Sequence, residues 1–445
     1  MSNMKKSNGD LNEKVVAILD DHIHEIGVHD FTDTLKLETP VGVMRRGGRR
    51  RISNNVQTLS LVDTGDLLTW EPGLITKHSF NRRRRSRLSP TSGEVLKQIK
   101  FETLPPNQVM EFLTELDKKM TPHQGIRKLT DGRLKKKEPL PQEGRVLLLV
   151  HGTFSNNENF LKNLRSTTEG KEFLKRAMKE YNQQVFVFDH PTLSVSPIHN
   201  ALDLAEEFRN SKAVVDVISH SRGGLVTRWW FEALSPQPEL RGKAVLVGSP
   251  LAGTGLAAPA NIRSALKLLT NYGRALGTIS GFASTAVPLL IGVTGLLKVL
   301  TSITSFAAHT PLADTVVSLV PGLNGQSRAG DNADLRRLRK LSFGEKRLYF
   351  AIRSNFEPED PGWRFWRYFT NPATHGLNAV TDKIFNSEND LVVDTASMHD
   401  LSDNLLIPDS NIYTFPTSDD VHHLNYFQQK ETIQHLTHWL LKQEK

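Results

Sequence analysis

The pentapeptide Ser219-His220-Ser221-Arg222-Gly223 joins an apolar run, Ala213 to Ile218, to an amphipathic helical pattern, Leu225 to Leu234. A serine on a sharp strand-to-helix turn takes a strained backbone, and residues two positions to either side must be small to clear the turn. Ser219 and Gly223 meet that need, with a serine standing where the pattern G-x-S-x-G has its first glycine. The chemistry open to a hydroxyl so exposed is attack on a carbonyl carbon. It requires an imidazole to take the hydroxyl proton and a carboxylate to orient the imidazole.

In this arrangement the acid and then the histidine follow the serine, each on a loop after a late strand. Asp390 fits the acid, in the polar turn Asn386-Ser387-Glu388-Asn389-Asp390 before Leu391-Val392-Val393, with Asp394 and Asp400 as competitors. His422 and His423 follow the last strand pattern and precede the final helix. Adjacent side chains point in different directions, so one of the two faces Ser221, and spacing leaves open which. The developing oxyanion needs fixed backbone N–H donors. One is expected from Arg222 and a second from the turn Val150-His151-Gly152-Thr153-Phe154-Ser155, where Thr153 is the expected donor and Phe154 the alternative. His151 is expected to buttress that turn, and His151 and Phe154 are candidates to line the substrate pocket. Asp189-His190-Pro191-Thr192 suits either the pocket or a structural loop.

Other chemistries lack their residues. The chain has no cysteine, which excludes disulfides, thiolate metal sites and a cysteine nucleophile. His422 and His423 are adjacent rather than four apart on a helix, no H-E-x-x-H string is present, and no phosphate-cradling glycine loop with its lysine occurs. No metal or cofactor is expected.

Short apolar runs alternate with helix-length amphipathic stretches from Arg145 onward, which predicts a parallel sheet covered by helices on both faces, an α/β class. The expected strands are Val146 to Val150, Val185 to Phe188, Ala213 to Ile218, Ala244 to Val247, Arg347 to Ile352 and Ile412 to Phe415; expected helices include Asn159 to Lys179, Ala201 to Phe208 and Gln428 to Leu441. Residues 251–340 form an insertion, and Ala275 to Leu297 within it carries no charge. It is long enough for a membrane span, but a span inside a sheet-forming domain would split one sheet across a bilayer. A helical cap over an apolar pocket is the preferred reading, ahead of a membrane-dipping hairpin completed by Val299 to Val320 and of plain core.

Residues 1–140 read as a separate basic module, an α+β extension, ending in the linker Lys135 to Pro141, with the main domain over 145–445. Gln57 to Trp70 suggests short strands about Asp63-Thr64-Gly65-Asp66, and Leu96 to Lys118 a helix interrupted at Pro105-Pro106. Of the formal net charge of +8, residues 1–140 hold +7, from 25 Lys+Arg against 18 Asp+Glu. Arg45 to Arg51 and Arg82 to Arg87 concentrate it; they suit phosphate groups of anionic lipid or nucleic acid, but lack the interleaved aromatics of single-strand binders, so a solvated loop is expected. No apolar segment of signal-peptide length opens the chain, which predicts a cytoplasmic protein, with contact at a membrane surface open.

The set Leu149-Val150-His151-Gly152-Thr153, Ser219 to Gly224, Gly248-Ser249-Pro250-Leu251-Ala252-Gly253-Thr254, Asn389-Asp390 and His423-Leu424-Asn425-Tyr426-Phe427 resembles the lipase and esterase branch of the α/β-hydrolase superfamily, including proteins like the GPI-inositol deacylases. The resemblance covers roughly Arg145 to Leu441. It implies an α/β-hydrolase fold, and it selects His423, since a histidine in that branch commonly precedes a pattern like x-Asn-Tyr-Phe; His422 is the substitute. A serine hydrolase of carboxylic esters, of lipid-like or hydrophobic acyl groups, is the expectation that follows. The alternative is a binding or effector protein whose basic module contacts nucleic acid, anionic membrane or protein beside an inactive or regulatory hydrolase fold.

Overall fold

A computed structural model describes residues 12–21, 28–30, 56–65, 67–72, 94–136, 138–235, 237–258, 261–276, 283–306, 320–341, 348–357, 365, 384–385, 388–403 and 405–442. The arginine runs 45–51 and 82–87 lie outside them, as do stretches of the insertion. The chain divides into two compact units, Met1–Val109 with Leu266–Leu312, and Met110–Ala265 with Ala313–Lys445.

The first unit carries a four-stranded antiparallel sheet in the order β1-β4-β2-β3, from β1 (Val28–Asp30), β2 (Val56–Asp63), β3 (Leu68–Pro72) and β4 (Glu94–Glu102). The β2–β3 hairpin turns where Asp63-Thr64-Gly65 predicts, with Gly65 at φ 100° donating its N–H to Asp63 Oδ1 at 2.7 Å. Leu96 to Glu102, expected as helix, is strand: β4 pairs on both sides, with β1 and β2, and buries Lys97, Ile99 and Phe101 along one face at strand period. Only the stretch after Pro105-Pro106 is helical, as Val109–Met120.

Two helices of the insertion, Ile262–Leu276 and Ala283–Phe306, contribute to this first unit. Of the insertion expected as a cap, residues 266–312 thus group with the amino-terminal strands, while 251–265 and 313–340 stay with the main domain. Leu68, on the edge strand β3, donates its N–H to Asn271 Oδ1 at 2.8 Å and accepts from Asn271 Nδ2 at 2.9 Å. The side-chain amide stands in for the missing next strand, so a buried edge keeps its hydrogen bonds. Trp70 Nε1 adds a bond to Thr270 Oγ1 at 3.1 Å. Ala286, Leu289, Leu290, Val293, Leu296, Leu297, Val299 and Leu300 are buried on one half of the second insertion helix, and Thr294, Lys298 and Ser302 on the other, the pattern of a helix enclosed in a core rather than lying on a surface. Among the described residues no helix is long and apolar enough to cross a membrane.

The second unit is built on eight strands: β5 (Gly125–Thr130), β6 (Arg133–Lys136), β7 (Arg145–Val150), β8 (Val185–Asp189), β9 (Val214–His220), β10 (Arg241–Val247), β11 (Tyr349–Arg353) and, beyond a short hairpin of β12 (Asp400–Ser402) and β13 (Leu405–Leu406), β14 (Ile412–Thr414). Their order is β14-β11-β10-β9-β7-β8-β5-β6. The six expected strands are the six that run parallel, β14 through β8. The β5–β6 hairpin completes the edge antiparallel to β8, so residues 125–136 belong to this sheet and not to an amino-terminal module.

Both faces are covered. Leu147 and Leu149 point into a cluster with Phe160, Phe173, Leu436 and Trp439 from the helices Asn157–Leu164, Thr168–Glu180 and Lys430–Leu440. Val146, Leu148 and Val150 point into another with Ala201, Leu204, Leu225 and Leu335 from Pro197–Glu207, Gly223–Trp229 and Ala333–Lys340. The expected helix over Asn159 to Lys179 is two helices, because Thr167 caps the second by accepting the Gly170 N–H at 3.0 Å. This is a doubly wound sheet with the strand–elbow–helix order of an α/β-hydrolase.

Asn271→Ala tests the edge staple. It leaves a buried N–H and C=O of Leu68 unpaired, at about 1–3 kcal/mol for such a group, and is expected to abolish the hydrogen-exchange protection of the Leu68 amide; unchanged exchange contradicts the assignment.

Candidate active site

Strand β9 ends at His220, and Ser221 follows with φ 53°, in the left-handed region that costs a non-glycine residue about 1–3 kcal/mol. The turn is held by Ser221 N–H donating to Val247 O of β10 at 2.9 Å. Gly223 opens the next helix so close to the end of β7 that a Cβ there would stand 2.8 Å from the His151 carbonyl oxygen. A Cβ on Gly152 would stand 2.7 Å from Ser221 Cβ. Gly223, read from the sequence as the small residue after the serine, is thus required by close approach, as is Gly152.

His423, in the loop between β14 and the last helix, sets Nε2 2.8 Å from Ser221 Oγ and Nδ1 2.8 Å from Asp390 Oδ2. A carboxylate only accepts, so Nδ1 carries the proton and Nε2 accepts from the serine hydroxyl. Asp390 is fully buried. Its Oδ1 accepts the backbone N–H groups of Val392 at 3.1 Å and Val393 at 2.9 Å, and its backbone oxygen accepts the His423 N–H at 2.9 Å. The turn that presents it uses Leu391 at φ 83°. The competitors lie elsewhere: Asp394 pairs with Arg328 at 2.7 Å and Asp400 with Arg339 at 3.1 Å.

His422 turns away, its ring meeting Phe356 edge-on at 6.0 Å and its Nδ1 accepting the Leu424 N–H at 3.4 Å. Burial, then the neighbouring His423, lowers its pKa to about 3. It does not stand in for His423 in this geometry.

The backbone N–H groups of Arg222, Thr153 and Phe154 carry no hydrogen bond among the described residues, and Phe154 has φ 53°. Thr153 is tied by its hydroxyl to Gln326 Oε1 at 3.0 Å. His151, expected to buttress this turn and a candidate to line the pocket, is fully buried. Its Nε2 accepts the His190 N–H at 3.1 Å, so Nδ1 carries the proton and donates to Gly152 O at 2.8 Å. Because the peptide is planar and trans, fixing the Gly152 carbonyl also fixes the direction of the Thr153 N–H. Burial lowers the His151 pKa, and the ring stacks on His190 at 4.2 Å.

Asp189 belongs to the scaffold: it accepts from Arg127 Nε at 2.9 Å and from the Asn157 N–H at 2.8 Å. The Arg222 side chain, also fully buried, donates from Nη2 to Val195 O and Asn200 Oδ1, both at 2.6 Å. Burial pushes its pKa down to about 9 against the opposing pull of Asp117.

Four residues at this site were not singled out by sequence reasoning. His220 Nε2 donates to the His423 carbonyl at 2.8 Å, with the two rings 4.9 Å apart. Gly248, at φ 55°, lies where a Cβ would come within 2.7 Å of the Tyr426 ring and 3.3 Å of His423 Nδ1. Tyr426 donates to Asp390 Oδ2 at 3.0 Å, and Ser354 Oγ lies 2.8 Å from the tyrosine oxygen. Gly248 and Tyr426 sat in the motifs carrying the resemblance, and the spacing of three from His423 to Tyr426 was the available signal. Ser354 had none. Among the described residues no group of three His, Asp or Glu side chains could hold a metal ion.

The family model described as Domain of unknown function (DUF7379) matches residues 113–441. No curated protein matches the sequence. Similar solved structures include the mature Bacillus licheniformis lipase BlEst2, at 15% identity and TM-score 0.35 over 69% of this chain and 95% of that one. Lipase 1 from Pelosinus fermentans aligns at 13% identity and TM-score 0.41, over 67% of this chain and 99% of its own. EstA from Clostridium botulinum aligns at 12% identity and TM-score 0.38, over 74% and 97%.

The buried histidines predict a pH dependence of stability. His220, like His422, has its pKa lowered from 6.5 to about 3, by burial first and by His423 second. The folded state therefore binds fewer protons than the unfolded state between those values, and stability falls as pH drops below 6.5. His422→Gln is expected to flatten the pH dependence of the unfolding free energy measured between about pH 7 and pH 5; an unchanged slope contradicts it.

Proposed function

We propose that this chain, which belongs to the family described as Domain of unknown function (DUF7379), is a serine hydrolase that cleaves carboxylic esters through an acyl-enzyme on Ser221. The supporting observation is the unbroken hydrogen-bond relay from Ser221 Oγ through His423 to Asp390, at 2.8 Å in both links. Ser221 Oγ attacks the ester carbonyl as its proton passes to His423 Nε2. The positive charge created on the imidazole is met by the Asp390 carboxylate at Nδ1, which also holds the ring in the tautomer that accepts at Nε2.

The carbonyl oxygen, now an anion, is received by the N–H of Arg222 and by the N–H of Thr153 or Phe154. These dipoles are fixed before the reaction and need no reorganisation during it. His423 then returns its proton to the departing alcohol; in the second half it takes one from water, whose oxygen bonds to the acyl carbon, and gives that proton to Ser221 Oγ as the bond to the serine breaks and the acid leaves. Preference for a hydrophobic acyl group is the expectation drawn from the uncharged stretch 275–297; that stretch groups with the first unit, so the preference is a question for the acyl-length series and not a consequence of the site.

Ser221→Ala is expected to lower turnover of p-nitrophenyl acyl esters by at least about a thousandfold while leaving the circular dichroism and melting temperature of the chain in place. Full activity in that variant contradicts the assignment. Across a series of acyl lengths, kcat/KM is expected to rise by up to about fourfold, or about 0.8 kcal/mol, per buried CH₂. A maximum at acetate removes the apolar part of the reading and leaves the esterase part standing.

A further inference from the structure

We propose that Tyr426 is a positioning residue that acts through Asp390, limiting how strongly the carboxylate holds the imidazolium of His423. The inference rests on the reading of Ser221, His423 and Asp390 as a catalytic relay, and it concerns a residue outside that relay.

Tyr426, Asp390 and Ser354 are all fully buried. The phenol has one proton to give, and its neighbours are Asp390 Oδ2 at 3.0 Å, Ser354 Oγ at 2.8 Å and Met398 Sδ at 3.7 Å. A buried carboxylate is much the strongest acceptor of the three, so the proton goes to Asp390. The tyrosine oxygen is then an acceptor toward Ser354, whose hydroxyl donates to it. Burial first, and the nearby carboxylate second, keep the phenol pKa well above its usual value, so the donor persists through the working pH range.

Asp390 Oδ2 consequently serves two donors, Tyr426 and His423 Nδ1, while Oδ1 serves the N–H groups of Val392 and Val393. Each hydrogen bond to the charged form spreads the negative charge and makes the carboxylate less basic. A carboxylate so occupied draws less strongly on Nδ1–H, and the imidazole gives up its acquired proton more readily in the steps that need it as an acid. The Tyr426 ring, lying over Gly248, fixes the direction of the phenol. Among the described residues, His220 has its ring 4.9 Å from that of His423, and the adjacent His422, though its ring turns away, is near enough to act on His423 through its charge; burial holds both neutral above about pH 3.

Tyr426→Phe keeps the ring and removes only the donor. Its effect is read in two ways: the acid limb of the pH profile of kcat/KM for a p-nitrophenyl ester, and the NMR titration of the His423 imidazole in the full chain. Both midpoints are expected to rise by roughly half to one pH unit, and Ser354→Ala, which removes the bond that polarises the phenol, moves them the same way by less. Incorporation of 3-fluorotyrosine at position 426, a stronger donor in the same shape, moves them down. Midpoints unmoved by these changes, or moved with the opposite signs, overturn the proposal. If Tyr426→Phe fails to fold, the fluorotyrosine chain gives the sign alone. Absence of ester turnover in the unaltered chain counts against the catalytic relay itself, while the imidazole titration still decides the role of Tyr426.

Discussion

The site depends on one buried charge. Asp390 has no exposed surface, and an isolated carboxylate in such surroundings would neutralise itself or unfold its loop. It is tolerated because four donors converge on it: two backbone N–H groups, the His423 ring and the Tyr426 phenol. The same bonds fix the loop after β11 against the loop after β14, and with them the place of His423. Satisfying the carboxylate and aiming the imidazole are therefore a single structural event.

The parallel sheet makes that convergence possible. Adjacent parallel strands deliver their following loops to one edge, where ligands and reacting groups gather in open α/β sheets. Ser221 follows β9, Gly248 follows β10, Ser354 follows β11 and His423 follows β14, and these four strands stand beside one another in the sheet. The Gly152 turn follows β7, the neighbour of β9 on the other side. Glycine at 152, 223 and 248 lets these loops approach more closely than any Cβ would allow. Strain at Ser221 is carried by the strand and helix on either side.

Much of this was legible in the sequence, for definite reasons. Strands buried on both faces must be apolar almost throughout, which is why β7, β8, β9, β10, β11 and β14 stood out. The β5–β6 hairpin did not, since an edge hairpin carrying Arg127, Lys128, Arg133, Lys135 and Lys136 looks like a linker until its partner β8 is known. Strand β4 was misread because Lys97 and Gln98 are buried polar residues whose pairing comes from β1 and β2 rather than from local pattern. The grouping of the insertion helices with the first strands was beyond sequence reach: Asn271 and Leu68 are 203 positions apart. Ser221, Asp390 and His423 were singled out through their order and company, but the choice between His422 and His423 came from resemblance, and the geometry gives a physical reason for it, since the His423 ring reaches Ser221 and the His422 ring turns away.

Labelling the intact chain with a fluorophosphonate, followed by peptide mapping, addresses the central claim most directly, because the probe reports an activated serine and its position together. The relay predicts one adduct, on the peptide containing Ser221, formed at a rate that falls as His423 becomes protonated. An adduct on another serine, or none under conditions where the chain is folded, contradicts it.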